Sequence, residues 1–205
     1  MDETFALDSK HLKTFRRLLT EPGAVGRDYI EGRRVGIMSP LRYYLLVVGL
    51  NVASTGMLRL FLRSPSAHQT SESGFFDSSF VALQIGLAFM AVLVPTALGL
   101  RLVYEQRNLW TIEHYTFLLY AAAQGLLFTL GSEIAWTLIT RRPFPGDADG
   151  IVWLVTLTAV LVQGGRHLYA ERGWKVLGKV LAAYAITVAS AGVIGMFAFT
   201  VAALL

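Results

Sequence analysis

The chain has no cysteine at any of its 205 positions. Disulfides, thiolate zinc sites, cysteine-ligated clusters and a cysteine nucleophile are therefore excluded, while nothing follows about the compartment. Charge is scarce as well. Asp, Glu, Lys and Arg make up 16% of the residues, against about a quarter in ordinary soluble domains. With 54% of residues hydrophobic and a mean hydropathy of +0.52, a soluble fold would lack the polar surface to cover its core. Lipid as the main solvent resolves that deficit. Catalytic signatures are missing too: there is no Walker loop, no Gly-x-Ser-x-Gly, no His-Glu-x-x-His and no dinucleotide fingerprint. Arg142-Pro143 matches only a fragment of a lipid-phosphatase motif, no span carries a central histidine for haem, and no inverted transporter repeat stands out. Residues 1–40 contain no continuous apolar stretch, so no cleavable signal peptide is expected there.

What is present is a set of apolar runs. A spanning helix needs about 20 mostly apolar residues in sequence, and five stretches meet or approach that length, at about 41–62, 80–100, 115–139, 151–167 and 177–203. The predicted fold is an all-α integral membrane protein, a five-helix transmembrane bundle over residues 41–205. The fourth run is short and ends in Gln163-Gly164-Gly165-Arg166, so a re-entrant segment is its alternative reading.

The net charge of +4 is distributed as a membrane protein distributes it, in segments flanking apolar runs, and predicts no nucleic-acid partner. Lys10, Lys13, Arg16, Arg17, Arg27, Arg33, Arg34 and Arg42 precede or open the first span; Arg101 and Arg107 follow the second; Arg166, Arg172, Lys175 and Lys179 follow the fourth. These fourteen lie on one side, with Arg59, Arg63, Arg141 and Arg142 on the other. The positive-inside rule then puts the N-terminus in the cytoplasm and the C-terminus in the periplasm or outside.

Ahead of the bundle, residues 1–40 form a basic cytoplasmic segment. Leu12, Phe15, Leu18 and Leu19 make an apolar stripe beside Lys10, Lys13, Arg16 and Arg17, so residues 8–20 read as an amphipathic interfacial helix. Glu21-Pro22-Gly23 breaks it, and a second short helix ends at Gly32. Ser39-Pro40 suits the start of the first span. With Arg33 and Arg34, these bases are candidates for anionic lipid headgroups or a partner; the plainer reading is a topology determinant.

Ionisable groups inside spans are costly and are functional candidates. Glu133 and Arg59 lie at similar depth near the outer face and could pair, with Arg141 and Arg142 as alternative partners for Glu133 and Gln84 entering from the same side. Such a pair would fix packing or shape an outward pocket for a headgroup or small ligand. Asn51 and Gln124 sit near the middle of their spans, as amides that bond between helices do. At the cytoplasmic mouth, Glu113 and His114 lie near Arg101, Arg166 and His167. A histidine beside a carboxylate can relay protons or ligate a metal, although a carboxylate at a helix N-terminus is also a simple cap. Gly49, Ala53 and Gly56, Ala121 and Gly125, and Ala185, Ala189 and Gly192 provide small-residue contacts. Tyr43, Tyr44, Trp110, Trp136, Trp153 and Trp174 are expected as an aromatic belt.

Pro22-Gly23, Tyr29-Ile30-Glu31-Gly32-Arg33-Arg34, Ser39-Pro40 and Tyr43-Tyr44 together resemble a bacterial family of multi-spanning membrane proteins of unknown function. Pro95, Ala97-Leu98, Tyr104, Glu113-His114 and Phe117 give a second similarity, and Tyr169 a third. The resemblance implies an inner-membrane location and imports no activity. Fuller members carry a cysteine zinc ribbon, which has no counterpart here, and Tyr120 stands where the family has a histidine. No metal site and no cofactor are expected. The leading expectation is a non-enzymatic accessory, scaffold or lipid-interacting protein, alone, as a homo-oligomer or in a larger membrane complex. The alternative is a small transporter or channel with a polar path through Glu133, Arg59, Gln84, Asn51 and Gln124. A membrane enzyme using Glu113 and His114 ranks last.

Overall fold

The structure is a computed structural model that describes the backbone of residues 13–62, 73–105 and 109–204. Every element among the described residues is helical. Residues 13–20 form α1, followed by α2 (Pro22–Ile30), α3 (Pro40–Leu62), α4 (Ser73–Val103), α5 (Thr111–Thr140), α6 (Gly146–Leu168) and α7 (Gly173–Leu204).

The ends follow from local chemistry. Pro22 opens α2, where its missing N–H costs nothing. Gly32, at φ +85°, takes the left-handed turn beyond that helix which a side chain would strain. The Ser39 carbonyl accepts the Tyr43 N–H at 2.9 Å, the first bond of α3. At the start of α5, Glu113 Oε2 accepts the Trp110 N–H at 2.6 Å, half of a capping box. After α5, Trp136 Nε1 donates to the Pro143 carbonyl at 3.2 Å and its ring meets Phe144 edge-on, which fixes the proline-rich turn into α6.

Among the described residues, four helices are long and apolar enough to cross a membrane: Pro40–Leu58, Gly86–Val103, Thr111–Thr140 and Ala148–Leu168. The fourth apolar run is one continuous helix, and 21 residues at about 1.5 Å each reach across a hydrocarbon core of about 30 Å. α7 is helical throughout, but its side chains from residue 191 lie outside the described residues.

α5 is the axis of the bundle. Of its window, 61% is buried, against 28 to 33% for the other three. It packs on α3, α4, α6 and α2, while α7 lies against α4 and α6. The contacts use glycine where backbones close in. A Cβ on Gly99 would lie 3.2 Å from the Ala183 backbone, and one on Gly23 would lie 2.8 Å from Gly164 Cα. Gly56, Ala121 and Gly125 are buried as small-residue contacts, but Gly49, Ala53, Ala185 and Ala189 are exposed, and the surroundings of Gly192 lie outside the described residues. Tyr43 and Tyr44 depart from the expected belt: both are buried in the bundle, because their hydroxyls find partners there. Trp110 and Trp174, each 68% exposed, remain on the surface.

Candidate functional site

A cavity lies at the end of the bundle remote from α1 and α2. Its volume is about 360 Å³, and α3, α4, α5 and α6 line it, leaving it open on one side. Val48, Asn51 and Val52 come from α3, Gly86 and Phe89 from α4, Leu126, Thr129 and Glu133 from α5, and Asp149, Gly150 and Trp153 from α6. The Phe89 and Trp153 rings pack 4.8 Å apart at 37° as one apolar wall.

The polar side follows from the antiparallel register of α5 and α6. Gly125 lies beside Trp153 and Leu157, Phe117 beside Gly164, and His114 bonds Tyr169. The same register carries Glu133 to Asp149, and their carboxyls are hydrogen-bonded. A bond between two carboxyls needs a proton on one of them. Asp149 Oδ1 is buried and receives no hydrogen bond from a described donor. A buried acceptor left in that state needs a partner, commonly water or a ligand.

Below the cavity, tyrosine hydroxyls bond across the bundle. The Tyr43 hydroxyl donates to Gln124 Oε1 at 3.0 Å, with both residues buried. Tyr120, packed near Tyr43 and Tyr29, donates to the Met38 carbonyl. Tyr44 donates to the Gly86 carbonyl at 2.8 Å, tying α3 to α4.

The expected polar residues thus divide. Asn51 and Glu133 line the cavity, Gln124 closes its floor with Tyr43, and Gln84 is exposed on α4. The Arg59 side chain lies outside the described residues, and with it any contact to Glu133. Sequence reasoning missed Asp149, which it assigned to the loop before a span starting at residue 151; the helix begins five residues earlier, at Gly146. It also took Trp153 for a belt residue.

At the opposite end, the expected mouth residues do not converge. His114 is fully buried, its Nδ1 2.8 Å from the Tyr169 hydroxyl. Tyr104 stacks on Tyr169 at 3.7 Å, and Lys179 sits 4.1 Å from the Tyr104 ring centre while bonding Glu171 at 2.7 Å. His167 is exposed and bonds the Gln163 carbonyl, Arg166 is exposed, and Arg101 reaches Thr111 at 3.0 Å beside Trp110. Among the described residues, no group of three His, Asp or Glu side chains is placed to hold a metal ion.

The basic segment is docked on the bundle. Thr14 and Leu18 of α1 are buried, and the Thr14 hydroxyl accepts the Met38 N–H at 3.0 Å. Arg17 and Arg33 both bond Asp28, each at 2.7 Å, and hold its carboxyl below the usual carboxylate range. Arg27 bonds Glu31 at 2.6 Å and lowers that carboxyl likewise. Arg34 lies over the Tyr29 ring. Lys13 and Arg16 are exposed; Lys10 lies outside the described residues.

Described residues that are helical in every element, with four helices among them fit to cross a membrane and α5 at their centre, define a multi-pass membrane protein. Residues 8–51, which include α1, α2 and the first half of α3, match the family model described as "Protein of unknown function (DUF3667)". That segment contains the Tyr29-to-Arg34 box and Ser39-Pro40; the similarities at Pro95 to Phe117 and at Tyr169 lie beyond it. No curated protein and no solved structure matches the chain.

Proposed function

We propose that the protein is a non-enzymatic binding protein of the bacterial inner membrane, which holds a small ligand or a lipid headgroup in the cavity between α3, α4, α5 and α6. The observation that carries this reading is the pairing of an apolar ring wall, Phe89 and Trp153, with convergent polar groups, Asn51, Glu133 and Asp149, around one space. That combination is the usual make-up of a ligand pocket, and about 360 Å³ falls at the lower end of such pockets. α7 would supply a fifth span. The charge asymmetry along the sequence then puts α1 and α2 at the cytoplasmic face and the cavity towards the periplasm. Lys13 and Arg16 are the bases left to meet anionic headgroups, since Arg17 and Arg33 are engaged by Asp28.

Catalysis by Glu113 and His114 has less support, because one caps a helix and the other is enclosed. A transport role has one favourable observation. The Tyr43–Gln124 bond is a polar contact beneath the cavity, and the Tyr120 bond to Met38 lies below it, so two of the groups that a path would have to part are polar.

The test uses Gly150, which lines the cavity and would have nothing within 4 Å of an added Cβ. Gly150→Phe places a ring at the cavity wall on a Cβ that itself meets no neighbour. Native mass spectrometry of the mildly solubilised protein is expected to show a bound small molecule or lipid on the wild type and its loss from G150F at equal thermal stability. Identical bound masses on the two proteins would overturn the proposal.

A further inference from the structure

We propose that an open groove between the end of α4 and the start of α5 seats one phospholipid, its phosphodiester on Arg101 and an acyl chain along α4. The groove measures about 700 Å³ and lies at the end of the bundle opposite the cavity. Leu98, Arg101 and Leu102 line it from α4, Glu105 from just beyond that helix, and Leu109 and Trp110 from just ahead of α5. It shares no residue with the cavity, so the inference stands apart from the binding role just assigned.

One face of α4 carries what the two parts of such a molecule need. Leu87, Ala91, Val94, Leu98 and Leu102 recur every three or four residues and are all exposed, so they form a single apolar stripe on the outside of the bundle. From Leu87 to Leu98 it runs about 16 Å, half of a hydrocarbon core of about 30 Å and so the reach of one leaflet. Arg101 follows at the end of the span Gly86–Val103. Its Nη1 donates to the Thr111 hydroxyl at 3.0 Å, and its guanidinium carbon lies 5.9 Å from the Trp110 ring centre. Among the described residues it bonds no carboxylate, which leaves most of its N–H donors to a ligand. Trp110 is 68% exposed beside it, an amphipathic ring at the level of the headgroups.

The combination selects the ligand. A guanidinium fork matches the oxygens of a phosphate. A soluble phosphate would meet Arg101 and leave the stripe uncovered, whereas an uncharged lipid would cover the stripe and leave the guanidinium unmatched. Glu105, four residues beyond Arg101 and farther from the span, also borders the groove. Its carboxylate disfavours ligands with several negative charges, and a phosphodiester brings a single one. The bilayer around a multi-pass protein supplies such molecules at the required depth.

The full chain is extracted in mild detergent from mixed phosphatidylethanolamine and phosphatidylglycerol membranes and examined by native mass spectrometry. The wild type and G150F are both expected to retain a phospholipid that Arg101→Gln loses. Delipidated wild type and G150F are then titrated with phosphatidylglycerol, with diacylglycerol of the same chains and with glycerophosphoglycerol. The phospholipid should bind roughly tenfold more tightly than the diacylglycerol, the worth of one charge-assisted hydrogen bond, and more tightly than the chainless diester. Equal binding of phospholipid and diacylglycerol overturns the proposal. Glycerophosphoglycerol bound as tightly as the phospholipid does so too, and marks a soluble anion as the ligand. Phospholipid kept by R101Q, or lost from G150F alone, belongs to another surface and refutes the groove. The titrations survive a failure of R101Q to fold. Each of these failures leaves the cavity's binding role standing, and an empty cavity leaves the groove untouched.

Discussion

Gly23 is the position at which one methyl group should do most damage. A Cβ there would stand 2.8 Å from both Cα and the carbonyl carbon of Gly164, and closer still to the carbonyl oxygen. Ordinary contacts of a Cβ begin near 3.4 Å, and here both sides are backbone, which cannot rotate away as a side chain does. Gly23→Ala therefore has to push α2 off α6. That movement also loosens Val25, which is fully buried, and Gly26, whose own Cβ position is 3.1 Å from the Phe117 ring. Overpacking of this kind costs about 1–3 kcal/mol, and the upper half applies where nothing yields. Replacing a helical glycine by alanine returns up to about 1 kcal/mol of helix propensity. Gly178 in α7 isolates that return, since nothing lies within 4 Å of a Cβ there. G23A should lower the melting temperature by roughly 3–8 °C, at about 2–4 °C per kcal/mol for a chain of this size, while Gly178→Ala leaves it unchanged or raises it. Trypsin cleavage after Arg27, Arg33 and Arg34 should accelerate in G23A alone. If G23A melts with G178A and is cut no faster, the close contact of α2 with α6 is refuted.

Two further outcomes test the membrane-proximal segment and the orientation. Asp28 titrates below its unfolded value because Arg17 and Arg33 bond its charged form. The stabilisation this provides is complete above the unfolded carboxylate value near 3.8 and is lost as pH falls through the folded value. Hydrogen exchange across residues 22–30, corrected for its intrinsic rate, should be flat from pH 8 to about 5 and lose protection below about 4, with Asp28→Asn lacking the acid step; protection that declines as pH rises would contradict this. Because the chain has no cysteine, single introduced ones report topology cleanly. In intact cells a membrane-impermeant maleimide should label Arg142→Cys and spare Thr20→Cys until the membrane is opened, and the reverse pattern would invert the assigned orientation.

The helices themselves were legible because hydropathy and helix stops are local. Pro22, Gly32 and Pro40 mark boundaries by backbone chemistry, and the structure starts or ends helices beside each of them. The relative depth of the helices was not legible. Tyr43 stands four residues into α3 yet meets Gln124, fourteen residues into α5. That stagger of about 15 Å leaves no mark on either apolar run, and it explains why Tyr43 and Tyr44 enter the bundle instead of an aromatic belt. Asp149 was hidden for a related reason: an acid in a polar turn-like stretch, Gly146 to Gly150, reads as loop until its helix is seen to start there. Glu133 was visible as a costly group in an apolar span, but its neighbour could be found only from the register of two helices. The Gly23–Gly164 contact joins positions on different elements that no periodicity links.

The central place of α5 also bears on biogenesis. A helix with most of its surface against protein is poorly matched to lipid when it first leaves the insertion machinery. α3 and α4 are already available at that moment, but α6, which brings Asp149 to Glu133 and Gly164 to Gly23, has yet to be synthesised. The nascent chain must therefore shelter one polar flank of α5 until the next hairpin arrives, and only then can α1 and α2, made before it, take their final seat. Helices made before the spans are among the last to be locked.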